Sequence, residues 1–389
     1  MLFKNTGRGA KQTSMKSSKH AIKTMTGLMA GLTMGFCALL GTAQAQTSAP
    51  HLKVVSVDVE GGAATLFVTP EGKSLLIDTG WPAGLGGWPH MGPPPGTTMS
   101  SADRIVAAAK ALGLDHLDYV IITHYHIDHV GGLGDLMAQI PVGTFIDHGP
   151  NREFVPAGHP VSSWATQSTY AKYLEETNGH PRLSVSAGTE LHIGSMTLTF
   201  VSSDAKPIDT PLPGAGQPNP ACQGVQPMAA DGGEENIRSV ASVIGFGQAR
   251  IAAFGDLSWN GEMDLACPID KVGKVDLLIV TQHGSNLSSN PASVDALAPV
   301  VAIMGNGPAK GGDVGPIDVV AHSPRLQGFW RLHSSAAHPQ SDGPADYVAN
   351  LAGPQDSGFS IEADVAADGE IKVTNLRNGF SKTYRAAPQ

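Results

Sequence analysis

Ten residues constrain this chain more than any other stretch: Thr123-His124-Tyr125-His126-Ile127-Asp128-His129-Val130-Gly131-Gly132. Three imidazoles and one carboxylate fall within six residues. Neutral imidazole and carboxylate are the donors that zinc and similar divalent ions take. The run Leu117-Asp118-Tyr119-Val120-Ile121-Ile122 just before it predicts a short buried strand, and Leu133 to Ile140 just after it predicts a helix. The cluster therefore sits in a loop at the C-terminal end of a strand, where open α/β sheets bind their ligands. His124 and His126 can point to one side of a tight turn. Asp128 and His129 can then face a second position close by. Six or seven ligands in all would suit two ions about 3.5–4 Å apart.

This motif in this context resembles the metallo-β-lactamase-fold superfamily. Val57-Asp58 through Leu76-Ile77-Asp78-Thr79-Gly80 looks like its opening β-hairpin. Ala253-Phe254-Gly255-Asp256 looks like the strand that delivers a bridging aspartate, and Val280-Thr281-Gln282-His283-Gly284-Ser285 like the strand that delivers the last histidine. Within the superfamily, the opening pattern around Val57, Gly61 and Ala63 looks closest to the hydrolase domain of bacterial DNA-uptake channel proteins and its secreted relatives. The resemblance implies an α+β fold, a four-layer αββα sandwich, spanning residues 46–389. It further implies that His124 and His126 hold one divalent ion, that Asp128, His129 and His283 hold another, and that Asp256 bridges the two. Zinc is the first expectation for both, with manganese or iron compatible with the same ligands. Asp78 is expected to brace the metal loop from behind.

One position departs from the family pattern. Most members carry a further histidine before the Gly-Asp strand, but here that region reads Glu235-Asn236-Ile237-Arg238-Ser239. His148 ends the predicted strand Pro141–Gly149, expected to lie parallel and adjacent to the metal-loop strand, and is the candidate to complete the first ion's ligands. Asn236, Ser239 and Ser285 are candidate substrate contacts, Ser285 with the neighbouring backbone N–H groups.

The first 45 residues hold six Lys or Arg and no Asp or Glu, with an apolar run from Met25 to Leu40 and Ala43-Gln44-Ala45 before Gln46. That is the pattern of a signal peptide cleaved after Ala45, which predicts a periplasmic or secreted protein with no membrane attachment after cleavage. Without it the body is six units more negative than the −9 of the whole chain. Such a surface argues against a stable nucleic-acid complex, which needs basic patches. Only Cys222 and Cys267 then remain, and the sequence leaves open whether they pair.

Three stretches rich in Pro and Gly, 81–100, 204–233 and 309–343, read as irregular insertions. His51 shows no partner pattern, His159, His180 and His192 read as surface or structural, and His322, His333 and His338 offer a second metal site as the lesser alternative to an irregular excursion near the active site. Glu370–Leu376 and the strand before it flank Asp368-Gly369 as a closing hairpin.

The functional expectation is an exported metal-dependent hydrolase. The metals lower the pKa of a shared water, and the hydroxide attacks an electrophilic centre, with Asp128 and Asp256 as the catalytic carboxylates. A phosphodiesterase or nuclease-like activity heads the readings. Hydrolysis of small esters, lactones or β-lactams stands beside it. A metal-containing binding module without activity is the reading from another class.

Overall fold

A computed structural model describes residues 49–85, 97–335, 338–341, 343–352 and 358–386. All belong to the unit Ser48–Gln389 into which the chain divides after residue 47. The expected signal peptide, and Trp88 and His90 of the 81–100 loop, lie outside the described residues.

Strands β1 (His51–Ser56), β2 (Thr65–Val68), β3 (Ser74–Ile77), β4 (Leu117–Ile121), β5 (Val142–Asp147) and β6 (Arg182–Ser184) start a first sheet. Antiparallel pairing from β1 to β3 gives way to parallel pairing from β3 to β6. The helices α1 (Ser101–Ala111), α2 (Ile127–Val130), α3 (Leu133–Met137) and α4 (Thr166–Glu176) fall in the β3–β4, β4–β5 and β5–β6 connections, as parallel crossovers require.

A second sheet follows: β7 (Glu190–Ile193), β8 (Met196–Ser203), β9 (Lys206–Pro207), β10 (Ala241–Phe246), β11 (Ala249–Ala253), β12 (Leu277–Ile279), β13 (Val301–Met304), β14 (Gly328–His333) and β15 (Val348–Asn350). From β11 to β15 its neighbours are parallel. Helix α5 (Gly233–Asn236) precedes β10, and α6 (Trp259–Ala266), α7 (Pro291–Leu297) and α8 (Val314–Ala321) make the crossovers. The chain then returns to the first sheet through β16 (Ile361–Ala366), β17 (Glu370–Asn375) and β18 (Ser381–Arg385), with β16 beside β1.

Strand periodicity explains the layers. Phe67, Leu75, Ile77, Ile121 and Ile146 face Phe200, Ile244, Ile251, Leu277 and Ile303 across the space between the sheets. The alternate residues Leu66, Leu76, Val120 and Phe145 turn outward onto Ile105 and Ala109 of α1, Leu133 and Leu136 of α3 and Tyr173 of α4. Val243, Ala252, Leu278 and Ala302 do the same against Leu265, Val294, Leu297, Ile317 and Val320 of α6 to α8. The result is the expected αββα order.

The structure corrects the reading of 309–343. That region contains α8 and the buried strand β14, a regular crossover. Its Gly and Pro content had hidden a strand whose inner residues, Trp330 and Leu332, are core. Residues 204–233 are largely irregular, but they are tied down: the Met228 N–H donates to Asn260 Oδ1 and Asp231 accepts from Ser258 Oγ. They also carry Cys222, which is disulfide-bonded to Cys267.

Candidate metal centre

Because β3 to β6 are parallel and β11 to β15 are parallel, the loops that end these strands gather at one edge of each sheet. β4 delivers the histidine loop, β11 delivers Asp256 and β12 delivers His283. Gln282 and His283 reach the site in left-handed backbone, at φ 50° and 56°, a conformation that costs a residue with a Cβ about 1–3 kcal/mol.

Asp128 Oδ2, His129 Nε2, Asp256 Oδ1 and His283 Nε2 converge. His129 Nε2 lies 3.2 Å from both Asp128 and Asp256 and 3.3 Å from His283 Nε2; His283 Nε2 lies 3.2 Å from Asp128 and 3.4 Å from Asp256. A tetrahedral ion about 2.0–2.1 Å from each donor needs donors about 3.3–3.4 Å apart. Five edges of this tetrahedron therefore have the length a small divalent ion imposes.

The tautomers fit the same occupant. His129 Nδ1 donates to Asp78 Oδ2 at 2.7 Å, and His283 Nδ1 donates to the Gly305 carbonyl at 3.1 Å. In the neutral rings both Nε2 lone pairs then face inward with no proton between them, and two carboxylates face the same point. All four residues are buried. Burial opposes charge on His129, but the Asp256 and Asp78 carboxylates outweigh it and push the ring up to about 10. Burial likewise opposes the Asp256 charge, yet His129 and His283 hold that carboxyl well below its usual range. The site is built for positive charge, and a divalent ion fits the donors present.

Asp78 lies behind the metal loop. Its Oδ1 accepts from the Thr123 N–H and its Oδ2 from the Thr123 hydroxyl, both at 2.8 Å, in addition to His129. The Thr123 hydroxyl in turn accepts from His124 Nδ1 at 3.0 Å. That leaves His124 Nε2 bare, 2.9 Å from His126 Nδ1. Burial holds His124 well below the usual imidazole range, in its neutral, ligating form.

The structure does not extend this pair as the sequence predicts. His148 Nε2 is bonded to Glu235 Oε1 at 2.9 Å. Among the described residues, neither His148 nor any other histidine, cysteine or carboxylate joins His124 and His126 in a three-donor cluster. The reason is Glu235, a buried carboxylate that also accepts from the Tyr125 N–H at 3.0 Å and so fixes the loop between the two histidines. Asp256 Oδ1 belongs to the tetrahedron of the second position. Asn236 Oδ1, Ser239 Oγ and Gln282 Oε1 are buried with no hydrogen-bond partner among the described residues. Ser285 is differently employed: its N–H donates to Gln282 O and its hydroxyl accepts from the Leu287 N–H, while the Asn286 N–H goes to Asp313. The backbone N–H groups of Ser285 and Asn286 are thus taken, which corrects the expectation that they bind substrate oxygen.

Two features have no counterpart in the motif analysis. Lys310 Nζ contacts Asp128 Oδ2 and lies 5.1 Å from the centre of the Trp81 ring. Burial pushes its ammonium down to about 7. Behind the site, Asp58, Glu60 and His333 form a second buried cluster. Arg104 already fills it, with Nη1 2.8 Å from Asp58 Oδ2 and 3.1 Å from Glu60 Oε1, while His333 Nε2 is 2.7 Å from Asp58 Oδ1. Burial opposes a charge on His333, but Asp58 outweighs it and raises the ring. Two carboxylates are thus balanced by guanidinium and imidazole, and the cluster ties β14 and α1 to the turn after β1.

A metal-dependent hydrolase of Herpetosiphon aurantiacus is 34% identical over 89 residues, a stretch that makes up 22% of this chain and 29% of that protein. This chain therefore spans less than a third of that relative. Among solved structures, a metallo-beta-lactamase with a HARLDQ motif from Cronobacter sakazakii is 17% identical with a TM-score of 0.29, over 53% of this chain and 60% of that one. A diphosphatase of the PhnP family is 12% identical with a TM-score of 0.37, over 82% of this chain and 98% of that one. The model of the metallo-beta-lactamase superfamily matches residues 57–303, from the strand before Asp58 to the strand after His283, and by that match the chain belongs to this superfamily.

Proposed function

We propose that this protein is an exported metal-dependent hydrolase acting on phosphodiesters. The observation that carries the hydrolase reading is the buried tetrahedron of Asp128, His129, Asp256 and His283, with edges of 3.2–3.4 Å. When bound there, a zinc-class ion supplies Lewis acidity and makes water a nucleophile near neutral pH. The chain's own residues do the rest. Asp78 fixes the ring of His129 and, through Thr123, that of His124. Asp128 and Asp256 would supply the negative charge that holds the ion. The approach of His124 Nε2 and His126 Nδ1, 2.9 Å apart, supports a second, weaker ion position. The unpartnered oxygens of Asn236 and Ser239 support their role toward substrate or that second ion. Export is supported by the Cys222–Cys267 bridge, since disulfides persist in oxidising compartments. No helix among the described residues is long and apolar enough to cross a membrane.

The test is metal content of the protein from residue 46 onward, with hydrolysis of bis-p-nitrophenyl phosphate, a lactone and nitrocefin. One to two ions per chain and turnover of the phosphodiester alone are expected. Turnover of nitrocefin or the lactone in its place would move the assignment to those substrates. No bound ion after reconstitution would overturn the hydrolase reading.

A further inference from the structure

We propose that Lys310 is the residue that selects an anionic substrate, by holding a negatively charged oxygen of the scissile group beside the metal centre. The inference rests on the hydrolase reading above and adds the charge of what the site accepts. Three observations carry it.

The first is placement. Lys310 Nζ touches Asp128 Oδ2, the oxygen that forms one corner of the donor tetrahedron. A carboxylate oxygen that serves a metal ion and an ammonium at once serves each less well. An incoming anion resolves the conflict, because it gives both cations a second negative partner.

The second is how the side chain is held. It runs beside the ring of Trp81, with the ammonium 5.1 Å from the ring centre, and its side chain keeps 21% of its surface open. The side chain is therefore held by packing and keeps a partly open face.

The third is the loop. Between β13 and α8 the chain reads Gly305-Asn306-Gly307-Pro308-Ala309-Lys310-Gly311-Gly312-Asp313. The Gly307 N–H donates to Lys310 O at 2.8 Å, and the Gly312 N–H donates to His283 O at 3.0 Å. Gly311 sits at φ +69°, and a Cβ there would collide with the His283 carbonyl. Gly307 packs on Gly61 with no room for a side chain, since a Cβ would lie 2.7 Å from the Gly61 Cα. The loop is thus clamped to the His283 backbone on one side and to the first sheet on the other, and Lys310 is the charged side chain it presents between them. A lysine held this way is a fixed part of the site.

The test compares Lys310→Met, which keeps the stem and removes the charge, with Lys310→Arg, which restores a cation. Each is loaded with metal. Metal per chain, calorimetric affinity for inorganic phosphate, and kcat and KM on bis-p-nitrophenyl phosphate and p-nitrophenyl acetate are then measured. We expect Lys310→Met to keep its metal, to bind phosphate about tenfold or more weakly, and to lose about 10–100-fold in kcat/KM on the anionic diester. Its loss on the neutral ester should be at least severalfold smaller, and Lys310→Arg should recover most of the anion affinity. Phosphate affinity equal to wild type in Lys310→Met would overturn the proposal, and so would equal losses on the two substrates. Loss of metal from Lys310→Met would also overturn it, assigning Lys310 to the support of Asp128. Phosphate binding that depends on Lys310 in a wild type that turns over only the neutral ester would leave this proposal standing and remove the phosphodiesterase reading.

Discussion

Asp78 stands directly behind the metal loop. It sits in left-handed backbone at φ 62° and accepts from the Thr123 N–H, the Thr123 hydroxyl and His129 Nδ1. Asp78→Asn replaces one accepting oxygen with a donor and turns an N–H toward a partner that also donates. The rings of His129 and, through Thr123, His124 then lose the tautomer that bares Nε2. Metal affinity should fall about 10–100-fold with the fold intact, read by competition with a chelating dye and by circular dichroism. Asp256→Ala removes a corner of the tetrahedron itself. It should bind less than half the wild-type metal by elemental analysis and lower hydrolysis at least about 100-fold. At this scale the sequence was most informative where ligands cluster. His124, His126, Asp128 and His129 stand within six residues, so type and spacing were enough. His148 misled because its position at the end of β5 was legible but its partner was not. Glu235 lies 87 residues away and claims its Nε2. Lys310 has no local pattern at all, being one lysine in a glycine-rich turn.

Elements carry the site through close approach of backbone. The N-terminus of α3 packs against the turn after β3, where the Gly132 N–H donates to Gly80 O at 3.0 Å and a Cβ at Gly132 would collide with the Thr79 carbonyl. Gly132→Ala should destabilise the protein by about 2–3 kcal/mol in urea unfolding, and metal affinity should fall with it, since Thr79 also donates its N–H and hydroxyl to the His129 carbonyl. The strands that lead to the histidine loop, to Asp256 and to His283 were legible because their apolar runs are cleanly bounded, whereas the short exposed strand β6 and the helices α6 and α7 were not read. Beyond β13, β14 was hidden. Its polar member His333 is buried because it meets Asp58 from a distant element, and no window of sequence shows that. The cluster of Asp58, Glu60, Arg104 and His333 was invisible for the same reason, with His333 and Asp58 separated by 275 positions.

For the whole molecule, two expectations concern stability. The Cys222–Cys267 bridge closes a loop of 45 positions. On the chain-entropy model such a loop contributes about 4 kcal/mol, so replacing both cysteines by alanine should lower the unfolding temperature markedly with metal content unchanged. Glu262 is fully buried at the start of α6 and accepts from the Asn290 N–H at 2.6 Å. Burial raises its carboxyl from 4.5 to about 7. Below about 4.5 both states are protonated. Between 4.5 and 7 the native state keeps a proton that the unfolded chain releases, so stability falls as pH rises through that window. Glu262→Gln should flatten this slope and gain at most about 3 kcal/mol at pH 8, measured by denaturant melts across pH.

The four corners of the tetrahedron come from both halves of the fold: Asp128 and His129 follow β4 of the first sheet, and Asp256 and His283 follow β11 and β12 of the second. His129 and His283 are 154 positions apart. A nascent or unfolded chain can offer an ion only the local histidines, a loose chelate that exchanges freely. The full grip exists only once the two sheets have docked, so capture of the ion is the last event of assembly and cannot seed it. From then on the ion works as a rivet across the seam. Separately made halves of this protein, one ending before Asp256, should find each other in the presence of the ion and drift apart when a chelator takes it away.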